Sequence, residues 1–113
     1  MTVVKTTENE QIRELNDKLR KTGIGGTVML THGIASLPEK DQLAIMRAVG
    51  QFDAFTRDND PYGEHDCAAV QFDQYHVLFK IDYYNPELTH HSDDPTDPEM
   101  TMRVLTIMLP EEY

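Results

Sequence analysis

The chain has 113 residues, a net charge of −10 at neutral pH and a single cysteine. This length suits one domain, residues 1–113, that buries about two thirds of its unfolded-state surface without help from a disulfide or a metal ion. The acidity disfavours direct binding to nucleic acids, and no apolar run reaches the roughly 20 residues that a membrane span needs.

The opening sequence MTVVKTTENEQ lacks the basic and apolar regions of a secretory signal. We therefore expect a cytoplasmic protein, with residues 1–7 forming a flexible N-terminus. Residues 1–26 carry five basic and four acidic side chains, so the remaining 87 residues carry a net charge of −11. A surface of this kind attracts cations or basic protein surfaces.

The first predicted helix covers residues 8–21. Thr7 and Glu10 have the spacing of a capping box, and apolar residues recur at helical intervals after them. Gly23 can adopt the left-handed conformation that ends a helix. The helix therefore has both a start signal and a stop signal.

A short β-rich run at residues 27–31 precedes the second predicted helix. Ser36 and Glu39 repeat the capping-box spacing, and Pro38 lies in the first turn. The sequence LPEKDQLAIMRAVGQF continues with a broad apolar stripe at helical intervals. We expect this helix to pack on the same core as the first.

From residue 64 onwards the apolar period changes to two, which indicates two consecutive strands around the connection Asp73-Gln74. A two-residue connection in an antiparallel hairpin pairs positions whose numbers sum to 147. Cys67 then faces Lys80, and His65 faces Asp82.

The last predicted strand is MRVLTIML, residues 102–109, which is apolar on both faces. Before it, residues 85–99 contain three prolines and five acids without a lysine or arginine, which is typical of an acidic surface loop. The resulting order is α-β-α-β-β-β. It predicts a single α+β domain with an antiparallel sheet and two helices packed on one face.

Four separated blocks, LTHGIASLP, FDAFTRDNDPYGEHD, FKIDYYNPEL and RVLTIMLPEEY, resemble a small bacterial domain family known only as a domain of unknown function. The resemblance runs from about Ile12 to Tyr113. It implies a single-domain bacterial protein that is often encoded on plasmids and other mobile elements, and it assigns no catalytic residue. Cys67 stands where the family more usually has an aromatic or small residue, so the resemblance implies no essential thiol.

The stretch DNDPYGEHDCA offers carboxylates that could ligate calcium or magnesium, namely Asp58, Asp60 and Glu64. It does not match a helix-loop-helix calcium loop, because Tyr62 and Ala69 occupy ligand positions. The Asn-Asp-Pro-Tyr-Gly sequence is typical of a turn. We therefore expect a turn, no metal site and no cofactor.

The expected hairpin register suggests a catalytic alternative for the same region. His65, oriented by Asp82, could act as a general base, and Cys67 beside Lys80 could form a thiolate nucleophile. The competing interpretation is a cross-strand ion pair next to a small half-buried cysteine. The adjacent His90 and His91 could bind a divalent metal, but histidines in such a loop are more often solvated.

Two functions of different classes follow. The first is a non-enzymatic interaction module that docks a basic protein partner, with a link to mobile elements or anti-defence suggested by the resemblance. The second is a small hydrolase or nuclease-like enzyme that uses His65, Asp82 and nearby carboxylates. The sequence leaves the oligomeric state open. The docking surface, which we name the acidic corner, comprises seven residues of two loops: Asp58, Asp60, Tyr62, Glu64, Asp93, Asp94 and Asp97.

Overall fold

The computed structural model describes residues 7–113. They form one α+β unit, as predicted, with a short additional helix after the first strand. The elements are α1 (Glu8–Thr22), β1 (Thr27–Leu30), α2 (His32–Ala35), α3 (Glu39–Gln51), β2 (Cys67–Phe72), β3 (Tyr75–Tyr84), β4 (Met102–Met108) and a final 3-10 turn (Pro110–Glu112).

Helix α1 has the predicted ends. The Thr7 side chain accepts a hydrogen bond from the Glu10 backbone, Glu10 reciprocates, and Gly23 has a φ of 73°. The rest of the expected flexible segment, residues 1–6, lies outside the described residues.

The predicted start of the second long helix is wrong in detail. Pro38 is the N-cap of α3, and no side chain caps that helix. Ser36 instead follows α2, where its hydroxyl donates to the carbonyl of His32 at 2.7 Å. The capping-box spacing was misleading because a one-turn helix uses Ser36 at its C-terminal end.

The four strands form one sheet in the order β1-β4-β3-β2. The pairs β2–β3 and β3–β4 are antiparallel, whereas β1 and β4 are parallel. The prediction of an antiparallel sheet is therefore only partly right. The chain leaves β1 through α2 and α3, and a helical crossover of this kind permits parallel pairing.

The predicted hairpin is confirmed. Asp73 and Gln74 connect β2 to β3, and Cys67 pairs with Lys80. Asp73 has a φ of 54°, a left-handed conformation that aspartate tolerates in tight turns.

The helices cover one face of the sheet. Alternate residues of β3 and β4 point into the core beneath them, among them Phe79, Ile81 and Leu105. The intervening residues lie on the opposite face and remain partly exposed, except Met108, which is buried. None of the helices within residues 7–113 combines the length and apolar character that crossing a bilayer requires.

Candidate functional site

The loop between α3 and β2, residues 52–66, is a set of hydrogen-bonded turns. The side-chain oxygen of Asn59 accepts from the Thr56 backbone at 2.7 Å, and its amide nitrogen donates to the carbonyl of Ala54 at 3.0 Å. Gly63 has a φ of 68°, which glycine adopts without steric cost. The prediction of a turn is confirmed, and the loop has a defined shape.

His65 lies at the end of this loop, where two carboxylates face its ring. Nδ1 is 2.9 Å from Oδ1 of Asp17, and Nε2 is 3.6 Å from Oδ2 of Asp60. The backbone N–H of His65 also donates to Asp60 at 3.2 Å. The ring stacks on Phe55 with centroids 3.8 Å apart. We name Asp17, Asp60 and His65 the histidine clamp, because they attach the loop to α1.

Backbone strain accompanies this arrangement. His65 has a φ of 57°. Residues other than glycine adopt this left-handed conformation at a cost of about 1 kcal/mol or more. The ring stacking and the contacts with the two carboxylates compensate for this cost.

The expected contact between His65 and Asp82 is wrong. Strand β2 begins only at Cys67, and the left-handed backbone at His65 turns its side chain towards α1. Asp82 lies on the opposite face of the sheet, where it pairs with Lys80 at 3.1 Å. The two members of the proposed catalytic pair are therefore separated by the sheet.

The geometry also argues against the alternative in which Cys67 is an activated nucleophile. Cys67 does face Lys80 across the strands, but the ammonium group of Lys80 pairs with Asp82. Partial burial raises the pKa of Cys67, and the negative charges of Asp66 and Asp60 raise it further. The thiol is thus stabilised in its protonated form, which is the weaker nucleophile.

Asp17 joins the histidine clamp to the core. Burial acts to raise the pKa of Asp17, but hydrogen bonds from Arg20 and His65 outweigh it and hold this pKa below its ordinary value. Arg20 also donates to the carbonyls of Val49 and Phe52 at 2.6 and 3.1 Å. The same arginine therefore fixes α1 to the end of α3.

A second buried polar cluster lies beside the clamp, and we name it the Asn16 network. The amide nitrogen of Asn16 donates to the carbonyl of Glu64 at 3.0 Å and to the hydroxyl of Tyr83 at 2.7 Å. Tyr83 donates in turn to the Glu64 carboxylate at 2.8 Å. Burial raises the pKa of Tyr83, the Asn16 bond opposes this rise and Glu64 adds to it, so the phenol stays protonated.

Arg103 completes the Asn16 network from β4. Its Nε donates to the side-chain oxygen of Asn16 at 3.0 Å, and its terminal nitrogen donates to the carbonyl of Pro95. The guanidinium lies 5.2 Å from the centroid of the Tyr83 ring. Burial lowers the pKa of Arg103, which is only 1% exposed, although its ordinary value is high enough that it stays charged.

Asn16 and Arg103 were not identified from the sequence, although each left a signal there. Asn16 occupies a buried position one helical turn after Ile12, where an apolar residue is expected. Arg103 points to the core from the face of β4 that otherwise carries Leu105 and Ile107. A polar or charged residue at a core position indicates a buried hydrogen-bonded partner.

The acidic corner is divided by the structure into inward and outward residues. Asp60 is 8% exposed and belongs to the histidine clamp, and the Glu64 carboxylate accepts from Tyr83. Asp94 accepts from the backbone and hydroxyl of Thr96. The outward part of the acidic corner consists of Asp58, Tyr62, Asp93 and Asp97, of which only Asp97 is partly covered.

Residues 85–101, between β3 and β4, form an ordered hydrogen-bonded loop. The Ser92 hydroxyl contacts the Thr101 hydroxyl at 2.7 Å, and Thr101 donates to the carbonyl of Asp94. His90 contacts Thr89, and His91 contacts the carbonyl of Ser92. Within residues 7–113, no three histidine, cysteine, aspartate or glutamate side chains are grouped so that they could hold a metal ion.

Residues 30–112 match the family model of a protein of unknown function, DUF3768. The chain belongs to this family. The matched span includes both acidic loops, β2, β3 and β4, whereas α1 precedes it. The histidine clamp and the Asn16 network therefore join residues of the family domain to a helix outside the matched span.

No curated protein and no solved structure matches the chain.

Proposed function

We propose that the protein is a non-enzymatic interaction module that docks a basic protein partner through the outward part of the acidic corner. The observation that carries this proposal is the position of Arg103. Through Asn16 it is connected to the carbonyl of Glu64, and it also binds the carbonyl of Pro95 directly. One buried arginine thus holds the two acidic loops side by side.

The electrostatics favour a basic partner. Arg20 and Arg103 are buried, so their side chains cannot form ion pairs with the exposed acids of the outward part. Asp58 and Asp93 are exposed, and Tyr62, which lies in the same loop as Asp58, is 73% exposed. Exposed carboxylates with an aromatic side chain suit a partner rich in lysine and arginine, because the acids steer the encounter and the ring supplies contact area.

Order in the loops is a further argument. Their turns are closed by internal hydrogen bonds in the free protein, so docking requires little additional ordering of the backbone. In the mobile-element setting that the family resemblance implies, a fitting partner is a nucleic-acid-handling or defence protein of the host. Such proteins carry basic surfaces.

The hydrolase alternative loses its basis in this geometry. His65 has both ring nitrogens directed at carboxylates and lies apart from Asp82, and Cys67 is stabilised as a thiol. A general base needs a free nitrogen within reach of the substrate proton.

The test is affinity capture from the native host, followed by binding kinetics with the captured protein. A triple variant, Asp58→Asn, Asp93→Asn and Asp97→Asn, should bind about tenfold more slowly at about 50 mM salt and differ little at about 300 mM. The matched control, Glu14→Gln, Glu39→Gln and Asp73→Asn, removes three exposed acids elsewhere. Equal binding by both variants would contradict the proposal.

A further inference from the structure

The face of the sheet opposite the helices carries a broad apolar surface, which we name the open face. Met29 is 53% exposed and Met102 is 37% exposed on its strands. Met29, Leu88 and Val104 line one groove of this face, and adjoining exposed apolar side chains mark interaction sites. The exposed or half-exposed strand residues of the open face include Met29, Leu78, Lys80, Asp82, Tyr84 and Val104.

Charge is nearly absent from this face. Lys80 and Asp82 are the charged members of the set, and they form an ion pair with a separation of 3.1 Å. The described strand residues of the open face therefore carry no net charge, although Asp66 borders its groove at the edge of the sheet and the chain as a whole carries a charge of −10. Two copies of such an acidic protein repel each other at most orientations, and a neutral face is where they can approach most closely.

We propose that the occupant of the open face is a second copy of this chain, packed sheet against sheet about a two-fold axis. In a two-fold interface, when residue i of one copy contacts residue j of the other, residue j of the first copy also contacts residue i of the second. Lys80 and Asp82 are two positions apart on β3, so this geometry allows Lys80 of each copy to pair with Asp82 of the other. The face is thus complementary to itself in charge.

The shape of the face supports the same partner. Leu88 and Tyr113 are 57% and 86% exposed. Leu88 borders a groove with Met29 and Val104, and Tyr113 borders a second groove with Leu78. Each rim side chain can enter a groove of the opposite copy, which would bury apolar area that is otherwise in water.

The size of the face sets the expected strength. Four strands about 4.8 Å apart and about seven residues long give a footprint of roughly 450 Å² per copy. Standard interfaces bury about 800 Å² per partner, so we expect a weak dimer with a Kd on the order of 100 µM.

The experiment is sedimentation equilibrium of the full chain from about 10 µM to about 1 mM. The wild type should pass from monomer to dimer. Lys80→Glu, which makes the face doubly negative, and Asp82→Lys, which makes it doubly positive, should each weaken self-association by about tenfold or more. An equimolar mixture of the two variants should dimerise again, because their faces are complementary.

The controls change charge equally on exposed helical positions, Lys40→Glu and Glu14→Lys, and should dimerise like the wild type. Thermal melting of each variant checks that it is folded. A wild type that stays monomeric at about 1 mM overturns the proposal and assigns the face to a different partner. Self-association that persists in both single variants, or a mixture that fails to associate, also overturns it. Since no residue of the outward acidic corner is changed, the result is independent of the docking test.

Discussion

On the face covered by the helices, Arg20 and Arg103 are buried and fully enclosed by the fold, whereas on the open face Lys80 and Asp82 pair in contact with water. A buried charge must find hydrogen-bond partners within the protein, because its hydration is lost. An exposed ion pair is hydrated in both the folded and the unfolded chain, so it contributes little to the free energy of unfolding. Polar groups on the covered face therefore determine stability, and those on the open face remain free to serve recognition.

The largest expected effect is that of Asn16→Ala. This change removes the acceptor of Arg103 and the donor to Tyr83 and Glu64, so several buried groups lose a partner at once. We expect the free energy of unfolding to fall by about 3 kcal/mol. Urea denaturation at neutral pH measures this free energy. A loss below about 1 kcal/mol would contradict the claim that polar groups on the covered face determine stability.

A smaller effect is expected for Gly50→Ala. A Cβ atom at this buried position of α3 would lie 2.7 Å from the carbonyl oxygen of Arg20 on α1. The two helices must move apart, at a cost of about 2 kcal/mol. The exposed neighbour Gln51→Ala is the matched control and should melt like the wild type. If Gly50→Ala leaves the melting temperature unchanged, the covered face is less tightly packed than the contact distances indicate.

The third prediction concerns pH. The pKa of Asp17 is held below its ordinary value in the folded protein, so its contribution is present above the unfolded-state pKa and is lost as the pH falls through the folded-state pKa. Asp17→Asn should cost about 1.5 kcal/mol at neutral pH and much less under acid. Urea unfolding at about pH 7 and about pH 3 tests this, and a pH-independent difference would argue against a role for the charge.

The smallest effect is expected for the open face. The side chains of Lys80 and Asp82 are 42% and 36% exposed. The double variant Lys80→Met and Asp82→Asn should therefore change the free energy of unfolding of the monomer by less than about 1 kcal/mol. A dilute thermal melt, in which dimers do not form, measures it. A loss as large as that of Asn16→Ala would show that polar groups on both faces of the sheet contribute equally to stability.

Local features could be predicted from the sequence alone. The ends of α1 follow from Thr7 and Gly23, and the pairing of Cys67 with Lys80 follows from a two-residue connection between alternating runs. The α+β class and the order of its main elements were predictable for the same reason. Each depends on residues a few positions apart, whose geometry is set by the backbone.

The tertiary structure decided which distant groups meet. The partner of His65 is Asp17, 48 residues away on α1, and not the residue that strand pairing would have placed opposite it. The parallel pairing of β1 with β4 depends on a crossover through two helices. The bridge that Arg103 forms between the two acidic loops joins α1, β4 and both loops at one buried point. Such contacts depend on the packing of whole elements, so the spacing of residues within each element does not encode them. Their trace in the sequence is a polar or charged residue at a core position, such as Asn16 or Arg103.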